Sequence, residues 1–365
     1  MSPTDCSRRL STEWSSRLFR SRATAHPQPR ASTQWSLHGA HLDRVNRVIS
    51  HAWRSSTALK YSRSIAEFLR FCDASSVPLH ARLPASEELL CAYASSFAGT
   101  HAGSSIRNKC SAVRKWHIAN SLPYAGGTQL SYVIKGAENV RPTSSLQPRR
   151  TAFSAEMLSA LSSGLQPTSA SDICVLFVAS LAFWGQIRLG EILPSRESNY
   201  DSASLPTWAD LRLPNSSGSR ILHLPSTKLG GTRGEDVIIA SQGQLDPIAC
   251  IDLHQLVNGR HDACLASYRR PDGNLVPLTR RKFLLRVNSI LSALRYPHIS
   301  GHCFRIGGTT HLLLSGVPPD IVRMMGRWSS DSFLRYWRSL ELIAPLYVEL
   351  LRPIMVDSGS CRLSS

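Results

Sequence analysis

Four separated stretches of this 365-residue chain carry side chains suited to gripping and cutting a phosphate ester. In IRLGEILPSR, Arg188 ends an apolar run and Glu191 follows three residues on, close enough to share a helical turn. In LPSTKLGGTRGED, Lys228 stands where a strand gives way to a Gly–Gly turn, a position from which its long stem can reach into a groove. In HCFRIGG, His302 and Arg305 are three apart and therefore neighbours on a helix. In GRWSSDSFLRYW, Trp328 offers an indole N–H and Tyr336 a phenol. An arginine fixed by a carboxylate is a rigid fork for phosphate oxygens. Each feature also has a plain alternative: an Arg–Glu pair that only packs, a solvated hairpin lysine, a satisfied core histidine, two core aromatics. The combination favours a phosphate site.

A metal offers a weaker account of the polar residues. Cys250, His254, His261 and Cys264 are ligand types for zinc, yet their spacing fits no compact structural-zinc pattern, and CIDLHQL reads as one apolar helix face. The nine cysteines lack any CxxC pair and are expected to be reduced and mostly buried. No cofactor and no metal is expected.

These residues need elements to hold them. Residues 1–38, rich in Ser, Arg, Thr and Pro, read as a flexible basic arm, either touching a nucleic-acid backbone or solvated. Residues 39–135 read as a helical domain: Leu59, Ile65, Phe68, Leu69 and Cys72 recur at helical spacing, and Ser-led segments at 86–97 and 104–119 predict capped helices. On the second of these, Arg107 and Arg114 share a face that Lys109 and Lys115 broaden, as a phosphate-gripping or a solvated surface. Residues 136–150 hold two prolines and the pair Arg149 and Arg150, and predict an exposed linker whose arginines are candidate DNA contacts.

The second domain, 151–355, opens with a Ser-capped helix and a buried helix over 171–184. TWADLRL, RILHLPST and EDVIIA then predict strands, and the chain turns helical again from about 247. A short tail, 356–365, closes the chain. The fold class is mainly α with a small antiparallel β-sheet. The apolar run 173–185 is too short to span a bilayer, and no secretory signal is visible, so an intracellular protein without membrane contact is expected. The formal net charge of +17 favours a polyanionic partner.

In order, Arg188-Leu-Gly-Glu191, Lys228, His302-Cys-Phe-Arg305, Trp328 and Tyr336 together resemble the tyrosine recombinase/integrase family. The series spans most of the second domain, and the helical region resembles that family's core-binding domain. The resemblance implies a two-domain architecture clamping double-stranded DNA. It implies that Arg188 and Arg305 clasp the scissile phosphate, that His302 manages the nucleophile's proton, and that Lys228 protonates the leaving 5′ oxygen. Trp328 would donate a hydrogen bond, Glu191 would support the site, and Tyr336 would attack to give a 3′-phosphotyrosyl intermediate.

No metal is required by that chemistry, and a synapse of four protomers is implied. The implied activity is site-specific recombination or integration; a type IB-like topoisomerase or an inactive DNA-binding derivative uses the same residues. GRWSSDSFLRY is similar to integrases of eukaryotic mobile elements, including DIRS-like retrotransposons and cryptons, which implies a nuclear protein in a eukaryotic source and a cytoplasmic or nucleoid one otherwise. Trp328 to Tyr336 is eight residues, one fewer than is common in that family. Tyr347 is a rival nucleophile in an apolar stretch expected to pack. That stretch, 340–355, either docks on a neighbour or completes its own core.

Overall fold

The computed structural model describes residues 39–329 and Phe333, apart from positions 51, 53–54, 144–145, 147–149, 199–200, 202, 228–229, 232 and 244. The arm at 1–38, Arg149, Lys228, Tyr336, Tyr347 and the segment 340–355 lie outside the described residues. The chain divides into two compact units between residues 148 and 149.

The first unit is helical: α1 (Gly39–Ser50), α2 (Ser55–Ala74), α3 (Leu79–Arg82), α4 (Glu87–Ser95), α5 (Gly103–Ala119) and α6 (Thr128–Asn139). Ile65, Phe68 and Cys72 repeat at three and four residues along α2 and are buried, facing Tyr93 of α4 and Trp116 of α5. Leu59, expected on the same stripe, is exposed. Ser86 caps α4 through the Leu89 amide, as its position predicts. Helix α5 departs from expectation, because it begins at Gly103 and no side chain of its own N-cap, Ala102, serves it. The Gly103 amide donates instead to the Glu138 carboxylate of α6, so the cap comes from a neighbouring helix. Helix α6 also runs to Asn139, four residues into the expected linker.

The second unit is built around α8. Its elements are α7 (Ala155–Gly164), α8 (Ala170–Trp184), α9 (Leu189–Ile192), β1 (Arg220–Leu224), β2 (Glu235–Ile239), α10 (Pro247–Asn258), β3 (Ser267–Arg269), β4 (Leu275–Pro277), α11 (Arg280–Ala293), α12 (Gly301–Leu314) and α13 (Pro319–Met325). Helix α8 is apolar on every side and correspondingly buried on every side, with α7, α10, α11 and α12 packed around it. β1 and β2 pair antiparallel, Leu222 opposite Val237, and their alternation sends Leu222, Leu224, Val237 and Ile239 into the core. Two expectations fail here. TWADLRL is not a strand: Thr207 and Asp210 cap each other around a 3-10 turn at Trp208–Asp210, and only Leu211 bridges to β1. The region after 247 is not all helix, since β3 and β4 form a second hairpin. Their three-residue strands are too short to show an alternation.

Helix α12 comes unusually close to its neighbours. A Cβ on Gly307 would lie 1.7 Å from the Phe153 carbonyl oxygen, and one on Gly308 1.9 Å from that of Phe183. The Phe153 amide donates to the Cys303 carbonyl at 3.1 Å, so the segment entering α7 lies directly on α12. Glycine is required at both positions because backbone, not a pliable side chain, occupies the space. Among the described residues no helix is long and apolar enough to cross a membrane.

Candidate active site

Helix α8 ends at Trp184, and the chain then turns through Gln186, whose φ of 49° is left-handed. That turn leads into Arg188, the N-cap of the single-turn α9. Glu191 reaches back across this turn. Its Oε2 accepts from the Arg188 backbone amide at 3.0 Å, and its Oε1 accepts from Arg188 Nη1 at 2.8 Å. The carboxylate is shared, because Arg327 Nη2 also donates to Oε2 at 2.9 Å. Burial pushes the Glu191 carboxyl up, but Arg327 together with the Arg188 amide and guanidinium outweighs it, and the net displacement is below the usual carboxylate range. Arg188 keeps 27% of its side chain exposed while Glu191 is buried. This is an arginine held by a buried carboxylate, with part of its side chain open to solvent.

Arg305 lies on α12, one turn after His302. It is only 1% exposed. Its Nη1 donates to the Gln186 carbonyl at 2.5 Å and its Nη2 to the Gly326 carbonyl. Its guanidinium carbon sits 4.1 Å from the centre of the Trp328 ring, a cation–π contact. Thr309, one turn further along α12, donates to the Gln186 side-chain oxygen at 2.8 Å and so secures the turn before Arg188. Arg305 therefore joins the Arg188 turn to the Trp328 turn. His302 is partly exposed at the start of the same helix.

Trp328 follows α13. Its backbone is held on both sides, its amide donating to the Arg323 carbonyl at 3.2 Å and its carbonyl accepting from Arg323 Nε at 3.4 Å. Its ring lies against Phe333, with centroids 6.1 Å apart. Arg188, Glu191, Arg305 and Trp328 thus form one contact chain, drawn from segments that are distant in sequence. Two participants escape a reading of the sequence. Arg327 precedes Trp328 and is visible only as one more arginine in GRW, while Gln186 gives no signal because its contribution is a carbonyl and a left-handed turn.

The other candidate residues sort differently. On α5, Arg107 and Arg114 are exposed, whereas Lys109 is paired with Glu67 and lies over the Phe97 ring. Lys115 lies over the Tyr61 ring at 4.5 Å. Arg114, though exposed, also lies over the Tyr124 ring at 5.9 Å, so three of the four cations expected on that face are engaged within the unit. Arg150 is exposed. Of the zinc-type residues, His254 and Cys264 are absorbed into packing. His254 stacks on Phe177, its Nε2 donates to the Leu265 carbonyl at 3.0 Å, and its Nδ1 accepts from Asn258 at 3.1 Å. Cys264 donates to the Ile192 carbonyl. Among the described residues no three His, Cys, Asp or Glu side chains gather as a metal site. The seven cysteines among them are free and buried.

No family model and no curated protein sequence matches the chain. Solved structures do match. The XerH site-specific recombinase bound to palindromic difH substrate, a post-cleavage complex, is similar at a TM-score of 0.52 and 14% identity, over 83% of this chain and 81% of that one. The Tn1549 transposon integrase in complex with transposon right end DNA gives 0.51 and 13%, over 84% and 99%. A lambda integrase dimer bound to a COC′ core site gives 0.50 and 13%, over 81% and 76%. The chain has the fold of the tyrosine recombinases and integrases. Among the described residues it is mainly helical with two small antiparallel sheets.

Proposed function

We propose that this protein is a DNA-cleaving and rejoining enzyme of the tyrosine recombinase type, acting on double-stranded DNA without a metal. The observation that carries the reading is the junction of the Arg188 turn, Arg305 and the Trp328 turn in one contact chain. Around it, Arg188, Arg305 and Arg327 outnumber Glu191 and Glu235, which suits an anion. The role of such groups is electrostatic. Attack on a phosphodiester builds negative charge on the nonbridging oxygens, and fixed guanidiniums stabilise that charge most strongly as it develops.

Tyr336 would attack and Lys228 would protonate the leaving 5′ oxygen, with His302 managing the phenolic proton. The 3′-phosphotyrosyl linkage conserves the phosphodiester, so a 5′-hydroxyl can rejoin the strand without a nucleotide. Arg305 is enclosed by the Gln186 and Gly326 carbonyls and the Trp328 ring, so it braces the Arg188 and Trp328 turns, and its engagement of a phosphate requires the guanidinium to be uncovered. The resemblance of GRWSSDSFLRY to integrases of DIRS-like elements and cryptons supports a mobile-element integrase, acting as a tetramer on two duplexes.

A nicked suicide duplex tests the reading. Wild-type protein is expected to become covalently joined to the cut strand, with the DNA-bearing peptide containing Tyr336 by mass spectrometry. Tyr336→Phe is expected to remove the adduct and leave duplex binding within about twofold. Transfer of the trapped strand to a second duplex separates a recombinase from a topoisomerase. Salt-sensitive binding without any adduct would leave only a DNA-binding protein.

A further inference from the structure

One buried cation beside the site has no assigned role of its own. Arg327 has only 6% of its side chain exposed, and its φ of 56° is left-handed, an unfavourable backbone for a residue with a Cβ. Burying a guanidinium is costly unless carboxylates face it, and two do. Its Nη2 lies 2.9 Å from Glu191 Oε2 and its Nη1 lies 3.6 Å from Glu235 Oε2. Glu191 holds Arg188, Glu235 is the first residue of β2 on the far side of the hairpin turn from β1, and Trp328 is the next residue in the chain.

We propose that Arg327 is a positioning residue, which ties the Arg188 turn, the start of β2 and the Trp328 turn into one register and leaves Arg188 its charge for a phosphate. The electrostatic part follows from the shared carboxylate. A lone Arg188–Glu191 pair is neutral and draws the Arg188 fork back onto Glu191. With a second guanidinium on Oε2, two positive charges share one negative charge, and the partly exposed member, Arg188, remains attractive to an anion. The downward displacement of the Glu191 carboxyl, to which Arg327 makes the largest favourable contribution, fits this account.

The inference rests on the recombinase reading, and two measurements on the full chain keep the two apart. Arg327→Met is expected to slow single-turnover adduct formation on the suicide duplex about 30-fold or more. Its duplex Kd should stay within threefold, and the acid limb of its pH–rate profile should move to higher pH as Glu191 becomes easier to protonate. Arg327→Lys, which restores a cation, should recover most of the rate. Carbon-detected NMR of the Glu191 carboxyl without DNA should show a higher pKa in Arg327→Met. A variant that cleaves within twofold of wild type with an unmoved acid limb, or an unchanged Glu191 titration, overturns the proposal. If wild type forms no adduct, the recombinase reading falls, and the Glu191 titration alone decides the clamp. Should Arg327→Met fail to fold, Arg327→Gln removes the charge while keeping a hydrogen-bond donor and carries both readouts.

Discussion

Arg305 and His254 show how one molecule buries polar groups in two ways. Arg305 remains charged and has two backbone carbonyls and an aromatic face for company. His254 remains neutral: burial is the main cause that pushes its imidazole down, to about 4, and its two ring nitrogens already act as one donor and one acceptor. Protonation would set a second N–H against the Asn258 amide. An unfolded histidine titrates near 6.5, so between about pH 6.5 and pH 4 the unfolded chain binds the extra proton and stability falls as pH falls. The drop corresponds to roughly 3 kcal/mol, complete near the folded value. Thermal melting of the full chain across that window should show the fall, and His254→Gln should flatten it. Asp172 adds a separate loss at lower pH. Burial raises its carboxyl, but the Arg286 guanidinium and the Gln166 amide hold it below 3.8, so its contribution is lost as pH falls beneath that value.

Among the elements, α12 carries the heaviest constraint. It presents His302 and Arg305 on its first turns and Gly307 and Gly308 directly after, where the Phe153 and Phe183 carbonyls press on the helix. Close packing of backbone on backbone fixes the height of Arg305 relative to Gln186. Gly307→Ala should destabilise the fold by roughly 3 kcal/mol, the scale of overpacking in a core that has no flexible side chain to yield. Denaturant unfolding monitored by tryptophan fluorescence would measure it, and a loss under about 0.5 kcal/mol would show that the segment at Phe153 gives way. Periodicity made most of the buried face of α2 legible in the sequence, and the unbroken apolar run made the burial of α8 legible. Periodicity missed the hairpin at 267–277, where three-residue strands carry too little pattern, and the turn at Trp208–Asp210, where mutual capping by Thr207 and Asp210 prevails over β-favouring side chains.

For the whole molecule, a formal charge of +17 predicts binding to DNA that weakens steeply with salt. On the described part of α5, Arg107 and Arg114 are the exposed cations, while Lys109 is turned inward to Glu67. Replacing both arginines by alanine should reduce the slope of log K against log salt by about 2, whereas Lys109→Ala should alter stability more than that slope. A titration of duplex binding from about 50 to 200 mM salt checks both.

Composition and the spacing of Arg188, Glu191, His302, Arg305 and Trp328 were enough to nominate an anion site, because residue type and local helical period are written directly in the chain. That Glu191 is shared by two arginines, that Lys109 is spent on Glu67, and that Arg305 is roofed by Trp328 were decided only on folding. Those contacts join positions as far apart as the 136 residues between Arg327 and Glu191, a separation over which no local pattern carries information.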